Sequence, residues 1–186
     1  MVSTSDFKNG MAIEVEGTIF TIVEFQHVKP GKGGAFVRTK LKNIDTGAVI
    51  DRTFRPVEKF RRVRVEGKKM QFLYATPDEV VLMDNESYEQ LSLPPALAGE
   101  ALNFIKDNME VEVLMIDDKP AQLVPPMFVE LEVTDTQPGV KGDTVSGGGN
   151  KPATLETGAV VNVPLFLKIG DCIKIDTRTG NYVERV

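Results

Sequence analysis

The sequence predicts an all-β fold of three small β-barrels with one short helix in the middle. Three observations lead there. Short runs of alternating, β-branched and aromatic residues recur along all 186 residues, with turn signals between them. One stretch alone shows helical spacing. The chain also divides into thirds of about sixty residues, each enough for one small core supported by its neighbours.

The first third, 1–64, opens with Ile13-Glu14-Val15-Glu16 and Gly17, then Thr18 to Val28. A Pro/Gly tip follows, then a return run from Ala35 to Leu41, a turn at Asp45-Thr46-Gly47, and Ala48 to Phe54. The basic run Arg61 to Val65 ends at Glu66-Gly67, a second turn signal. The middle third, 65–127, places strands at Met70–Ala75, Val80–Met83 and Glu110–Ile116, with turns at Thr76-Pro77-Asp78 and Asp117-Asp118. Between them Pro95 to Asn108 sets Leu97, Ala101, Leu102 and Ile105 at helical spacing, a short helix plugging a barrel with its apolar face. In the last third, 128–186, Phe128–Val133 alternates, and Thr134–Pro152 reads as a long exposed loop around Gly147-Gly148-Gly149. Strands are expected at Ala159–Val163, Leu165–Ile169, Cys172–Asp176 and Tyr182–Val186.

Composition narrows the class. Apolar residues make up 41% and charged residues 26%, a globular balance rather than a disordered one. The start, MVSTSDFKNG, lacks the apolar stretch of a secretory signal, and no run approaches the ~18 apolar residues of a membrane span. Cys172 is the single cysteine and His27 the single histidine, so neither an internal disulfide nor a Cys/His zinc site is expected. Together these features read as cytoplasmic, with no membrane partner and no cofactor. The net charge of −5 hides an asymmetry. Residues 1–64 hold 12 Lys and Arg against 7 Asp and Glu (+5); 65–127 hold 4 against 12 (−8); 128–186 hold 6 against 8 (−2). A basic end on an acidic chain points to a polyanion partner at that end.

The chemistry concentrates in Gln26 to Arg38. Lys29, Pro30, Gly31, Gly33 and Gly34 surround Lys32 between two strand-like arms. Glycine tolerates positive φ and keeps the backbone slim, so the tip is narrow and Lys32 is its one long side chain. A lysine there offers a compact charge, three donors and a primary amine open to covalent modification. On the return arm Arg38, Lys40 and Lys42 follow Phe36 at period two and share one strand face, a row of cations suited to a phosphate backbone. The tip is no nucleotide loop. Gly33 stands where the P-loop needs Ser or Thr. His27 reads as structural, Cys172 as an inert core thiol, and no nucleophile–base set is legible, so no enzyme is expected.

Five segments carry a resemblance: KPGKGGAFVR (29–38), MDNESYEQ (83–90), PPMFVELEVTDTQPGVKGDT (125–144), KPATLETGAVVNVPLF (151–166) and IKIDTRTGNYVERV (173–186). Together they closely resemble the bacterial elongation factor P family almost from end to end. The resemblance implies a KOW/SH3-like barrel followed by two OB-fold barrels, in a bent shape resembling tRNA. It implies a monomer that binds the ribosome between the P and E sites beside peptidyl-tRNA and relieves stalling at consecutive prolines. Lys32 then matches the tip that reaches toward the peptidyl-transferase centre and is the target of a dedicated modifying enzyme. Lysine there disfavours the arginine-glycosylating branch and leaves lysyl-type or aminopentanol-type additions, or none. Gly142, Asp143 and Thr144 match a loop that approaches E-site mRNA, and Tyr182 and Arg185 lie in the stretch near the tRNA elbow. Two alternatives stand beside this reading: a paralogue of altered specificity, and an OB-type binder of single-stranded nucleic acid. The second would need aromatic stacking platforms, and the chain has no Trp and three Tyr.

Overall fold

A computed structural model describes residues 1–139 and 149–186. The chain forms two compact units: Met1–Glu66 with Met115–Pro120, and Gly67–Leu114 with Ala121–Val186. Sixteen strands fall into three sheets among the described residues.

The first unit is built on β1 (Val2–Ser3), β2 (Ala12–Val15), β3 (Thr18–Val28), β4 (Phe36–Asn43), β5 (Val49–Phe54) and β6 (Lys59–Val63), ordered β1-β6-β2-β3-β4-β5. All five pairings are antiparallel. Strands β2 and β3 meet at a two-residue turn in which Glu16 (φ 51°) and Gly17 (φ 81°) both take positive φ, matching the twist of the arms. Inward residues build one core from Phe7, Ile13, Val15, Phe20, Ile22, Val37, Leu41, Phe54 and Phe60. Phe54 and Phe60 pack edge to face with ring centroids 4.6 Å apart. The turn Asp117-Asp118 belongs to this unit, and Arg61 binds both Glu14 (2.9 Å) and Asp117 (2.7 Å).

Most residues of the other two sheets, each five-stranded, fall in the second unit. One uses β7 (Val65–Ala75), β8 (Val80–Asp84), β9 (Gln90–Leu93), β10 (Glu110–Ile116) and β11 (Lys119–Val124) in the order β11-β10-β7-β8-β9. The other uses β12 (Phe128–Thr136), β13 (Asn150–Leu155), β14 (Val160–Pro164), β15 (Cys172–Asp176) and β16 (Asn181–Arg185) in the order β14-β13-β12-β15-β16. The last sheet curls so that β14 approaches β16, around a core of Val129, Leu131, Val133, Leu155, Val163, Leu167, Ile173 and Ile175.

Four sequence expectations need correction. The helix stops early: α1 covers Pro95–Ala98 and a 3-10 turn covers Gly99–Asn103, because Gly99 adopts φ +51° and breaks the α ladder. Ala98, Ala101 and Ile105 are buried as an apolar plug requires, while Leu97 and Leu102 are half-buried. Glu66-Gly67 is no turn but runs inside β7, where the missing Cβ of Gly67 leaves room for the Glu112 side chain. Leu165–Ile169 forms turns rather than a strand: Leu167 donates its N–H to the Pro164 carbonyl, and Phe166 and Ile169 face outward. The exposed loop expected from Thr134 to Pro152 is shorter, since β12 runs to Thr136 and β13 starts at Asn150. Lys151, expected in that loop, is buried, its ammonium donating to the carbonyls of Gln137 and Leu167 at 2.6 Å each.

Candidate nucleic-acid interface

The β3–β4 hairpin carries Lys32 away from the first barrel. The last rung of the hairpin is Val28 opposite Phe36, and every residue from Lys29 to Ala35 is exposed. Of the tip glycines Gly33 alone has positive φ (+117°), so it is the position where the conformation demands glycine. A Cβ at Gly31 or Gly34 would meet nothing within 4 Å; their small size keeps the tip slim rather than relieving a clash. Lys32 makes no ion pair among the described residues. Its side chain stands exposed at the end of a two-stranded arm.

The basic face of β4 is where the period-two pattern places it, with Val37, Thr39 and Leu41 buried and Arg38, Lys40 and Lys42 on the other side. Cross-strand partners then differentiate the three cations. Lys40 lies between Glu24 of β3 and Asp51 of β5, with its ammonium 3.7 Å from Glu24. Two carboxylates beside one ammonium leave that row net negative. Arg38 lies between Gln26 and Thr53, and Lys42 between Thr21 and Val49, all neutral. Sequence periodicity could not reveal this, because the acids come from two other strands and a bulge between Ile22 and Glu24 shifts their register.

His27 is exposed on the arm of the hairpin and packs edge-on to Phe25 with ring centroids 5.7 Å apart. Cys172 is half-buried rather than core, and burial pushes its thiol pKa up, assisted by Glu130, which disfavours the reactive thiolate. Among the described residues no group of three or more His, Cys, Asp or Glu could hold a metal ion. No helix there is long and apolar enough to cross a membrane.

Tyr182 and Arg185 lie on β16 of the second unit. Tyr182 pairs with Ile175 and packs against the last core. Arg185 is exposed and stands over the Phe166 ring at 5.9 Å. That aromatic partner was missed because Phe166 reads as a strand residue in sequence. Gly142, Asp143 and Thr144 lie outside the described residues.

Family models match the chain in three consecutive pieces. These are the elongation factor P KOW-like domain over residues 3–60, its OB domain over 65–123, and its C-terminal domain over 129–185. Barrels of this kind in this order, the first bearing an exposed glycine-flanked lysine, define a β-barrel translation elongation factor. Elongation factor P of Caldanaerobacter subterraneus subsp. tengcongensis is 58% identical over 186 residues, covering all of both chains. That of Pelotomaculum thermopropionicum is 55% identical over the same full span. The chain belongs to the elongation factor P family. A solved structure of eukaryotic translation initiation factor 5A from Methanococcus jannaschii matches 66% of this chain and 94% of its own, at 25% identity and a TM-score of 0.46.

Proposed function

We propose that this elongation factor binds the ribosome between the P and E sites, lies beside peptidyl-tRNA, and stimulates peptide-bond formation at consecutive prolines through Lys32. The observation that carries this reading is the exposed Lys32 amine on a slim hairpin tip, with no ion pair among the described residues. A prolyl donor and a prolyl acceptor react slowly because the ring restricts the geometry of attack. A cation held against the 3′ end of the tRNA lowers the entropic cost of reaching a reactive pose. The factor supplies position, and the ribosome supplies the chemistry. A modifying enzyme that extends the Lys32 amine, by a lysyl-type or aminopentanol-type addition, would lengthen its reach. Three modules, 1–64, 65–127 and 128–186, would span the site as a monomer in the cytoplasm. Gly142, Asp143 and Thr144 would approach E-site mRNA, and Tyr182 and Arg185 the elbow of the tRNA.

The test is the rate of Pro-Pro-Pro synthesis in a reconstituted translation system, with wild type, Lys32→Ala and no factor, beside a proline-free message. Wild type should accelerate the proline message alone, and Lys32→Ala should lose most of that effect. Equal acceleration by both proteins would remove Lys32 from the mechanism. No acceleration by protein purified from its native host would overturn the function.

A further inference from the structure

The turn that joins β5 to β6 holds a backbone conformation its sequence resists. Val57 sits at φ +63°, a region that β-branched residues avoid because Cβ crowds the carbonyl. Such a residue persists only where its surroundings over-determine it, and here they do. Thr4, 1% exposed, accepts the Val57 N–H on its hydroxyl at 3.0 Å and donates that hydroxyl to the Arg55 carbonyl at 3.4 Å. The Thr4 N–H donates to the Glu58 carbonyl at 3.1 Å. Glu58 closes the turn, its carboxylate accepting the Arg55 N–H at 3.0 Å and its own N–H donating to the Arg55 carbonyl at 3.3 Å.

The strain does not bury anything. Val57 is 74% exposed, and Arg55 is exposed with no ion pair among the described residues. The turn therefore displays an apolar side chain and a guanidinium on a fixed frame. Register fixes where. Phe54 pairs with Val37 and Thr53 with Arg38, while Val28 and Phe36 form the last rung before the tip. Arg55, next after Phe54, thus lies at the tip end of the sheet, just past the strand whose Thr53 pairs with Arg38. Glu58 is the nearby acid, and its carboxylate is engaged by the Arg55 backbone.

We infer that the Arg55–Glu58 turn is a second RNA contact, in which Arg55 takes a backbone phosphate and Val57 packs on an adjacent sugar or base. This rests on the ribosome-binding reading above and deepens it, making the tip end of the barrel a two-pronged surface of Lys32 and Arg55. The occupant is RNA rather than an acidic protein face because Lys29, Lys32, Arg38 and Arg55 are all exposed and fall by register at or near the tip end of the sheet, where Val57 also stands exposed.

The test is ribosome binding by labelled full-length protein at a series of salt concentrations, for wild type, Arg55→Ala, Val57→Gly, and Arg38→Ala as comparator. Arg55→Ala should weaken binding several-fold and lower the magnitude of the salt slope by about one. Val57→Gly, which relaxes the strained φ, should bind more weakly with an unchanged slope and a Tm no lower than wild type. Unchanged affinity and slope for Arg55→Ala, while Arg38→Ala moves both, would overturn this inference and leave the proposed function standing. Weaker binding by Arg55→Ala with no change in slope would assign the turn to a protein partner and overturn the RNA assignment. A Tm several degrees lower for Val57→Gly would make Val57 structural and overturn its role in contact. A wild type that does not bind ribosomes would overturn the parent reading, and this one with it.

Discussion

The Lys68 ammonium lies 2.6 Å from the carboxylate of Asp84, an ion pair at the end of β8 in which the acid is buried and the base half in water. The Lys68 contact, with the backbone N–H groups of Glu86 and Ser87, holds the Asp84 pKa down at about 2 from an ordinary 3.8. The same contact raises Lys68 above its ordinary 10.5. A depressed carboxylate stabilises the fold above its unfolded pKa and loses that contribution as pH falls through its folded one. The Asp84 contribution is therefore complete above about pH 5, falls steeply toward pH 2, and is gone near pH 1. The Lys68 contribution is present below 10.5 and is lost as pH rises beyond it. Asp84→Asn keeps an acceptor for the turn and removes the charge, so its Tm should be lower at pH 7 and converge on wild type toward pH 2. Asp176, also depressed by its bond to Arg178, keeps some acid sensitivity in both proteins. Parallel Tm curves from pH 7 to pH 2 would remove Asp84 from the acid transition.

Thr39 is fully buried on β4, and its hydroxyl is the one buried side-chain oxygen or nitrogen without a partner among the described residues. Its cross-strand neighbours cannot serve it. The Phe25 side chain has no polar atom, and the Arg52 guanidinium is already engaged with both oxygens of Glu16, at 3.0 and 2.8 Å. An unsatisfied buried hydroxyl costs more than a methyl of similar size. Thr39→Val should therefore raise stability by about 1 kcal/mol, read as a higher urea midpoint at unchanged slope. A lower midpoint would show that the hydroxyl has a partner.

Lys151 is a buried lysine used as a clamp. Its ammonium ties the strand β13 to two carbonyls, of Gln137 and Leu167, that no strand pairing reaches. Lys151→Met keeps the apolar stem and strips both acceptors of their donor. With one to three kcal/mol for each stranded group, the loss should be about 3 kcal/mol. Denaturant unfolding measures it, and a loss below about 0.5 kcal/mol would show that water replaces the ammonium.

These residues mark where sequence legibility ends. Alternation placed β3, β4, β10 and β15 within a residue or two, because a strand with one buried face writes a period of two into its own residues. The tip was legible for a related reason: Gly31, Gly33 and Gly34 around one lysine form a local pattern with a local consequence. Lys151 was not legible, since its partners lie 14 and 16 residues away in sequence and a lysine between Asn150 and Pro152, just past a glycine run, reads as solvated. The pairing of Lys40 with Glu24 and the strain at Val57 are equally non-local, set by strand register and by Thr4 respectively. Strands β9 and β11 escaped because Gln90–Leu93 is only four residues long and Lys119–Val124 starts with a lysine and a proline.

The three cations of β4 should not contribute equally to a phosphate-binding face. Charge acts through what remains after neighbours are counted, and a cation released from a carboxylate to meet a phosphate gives back the attraction it had. Lys40 faces Glu24 and Asp51 across the two flanking strands, whereas Arg38 faces Gln26 and Thr53. Arg38 also has the planar fork that grips a phosphate in two places. Arg38→Ala should therefore weaken ribosome binding by about tenfold in moderate salt and reduce the salt slope by about one. Lys40→Ala should weaken it no more than about twofold, because the attraction Lys40 could offer a phosphate is already offset by Glu24 and Asp51 beside it. The sharper check is the double variant Glu24→Gln with Asp51→Asn, which unmasks Lys40 and should tighten binding and steepen its salt dependence. If Lys40→Ala proves as damaging as Arg38→Ala, then RNA strips Lys40 from its carboxylates on binding, and the charge map of the free protein does not predict its contacts.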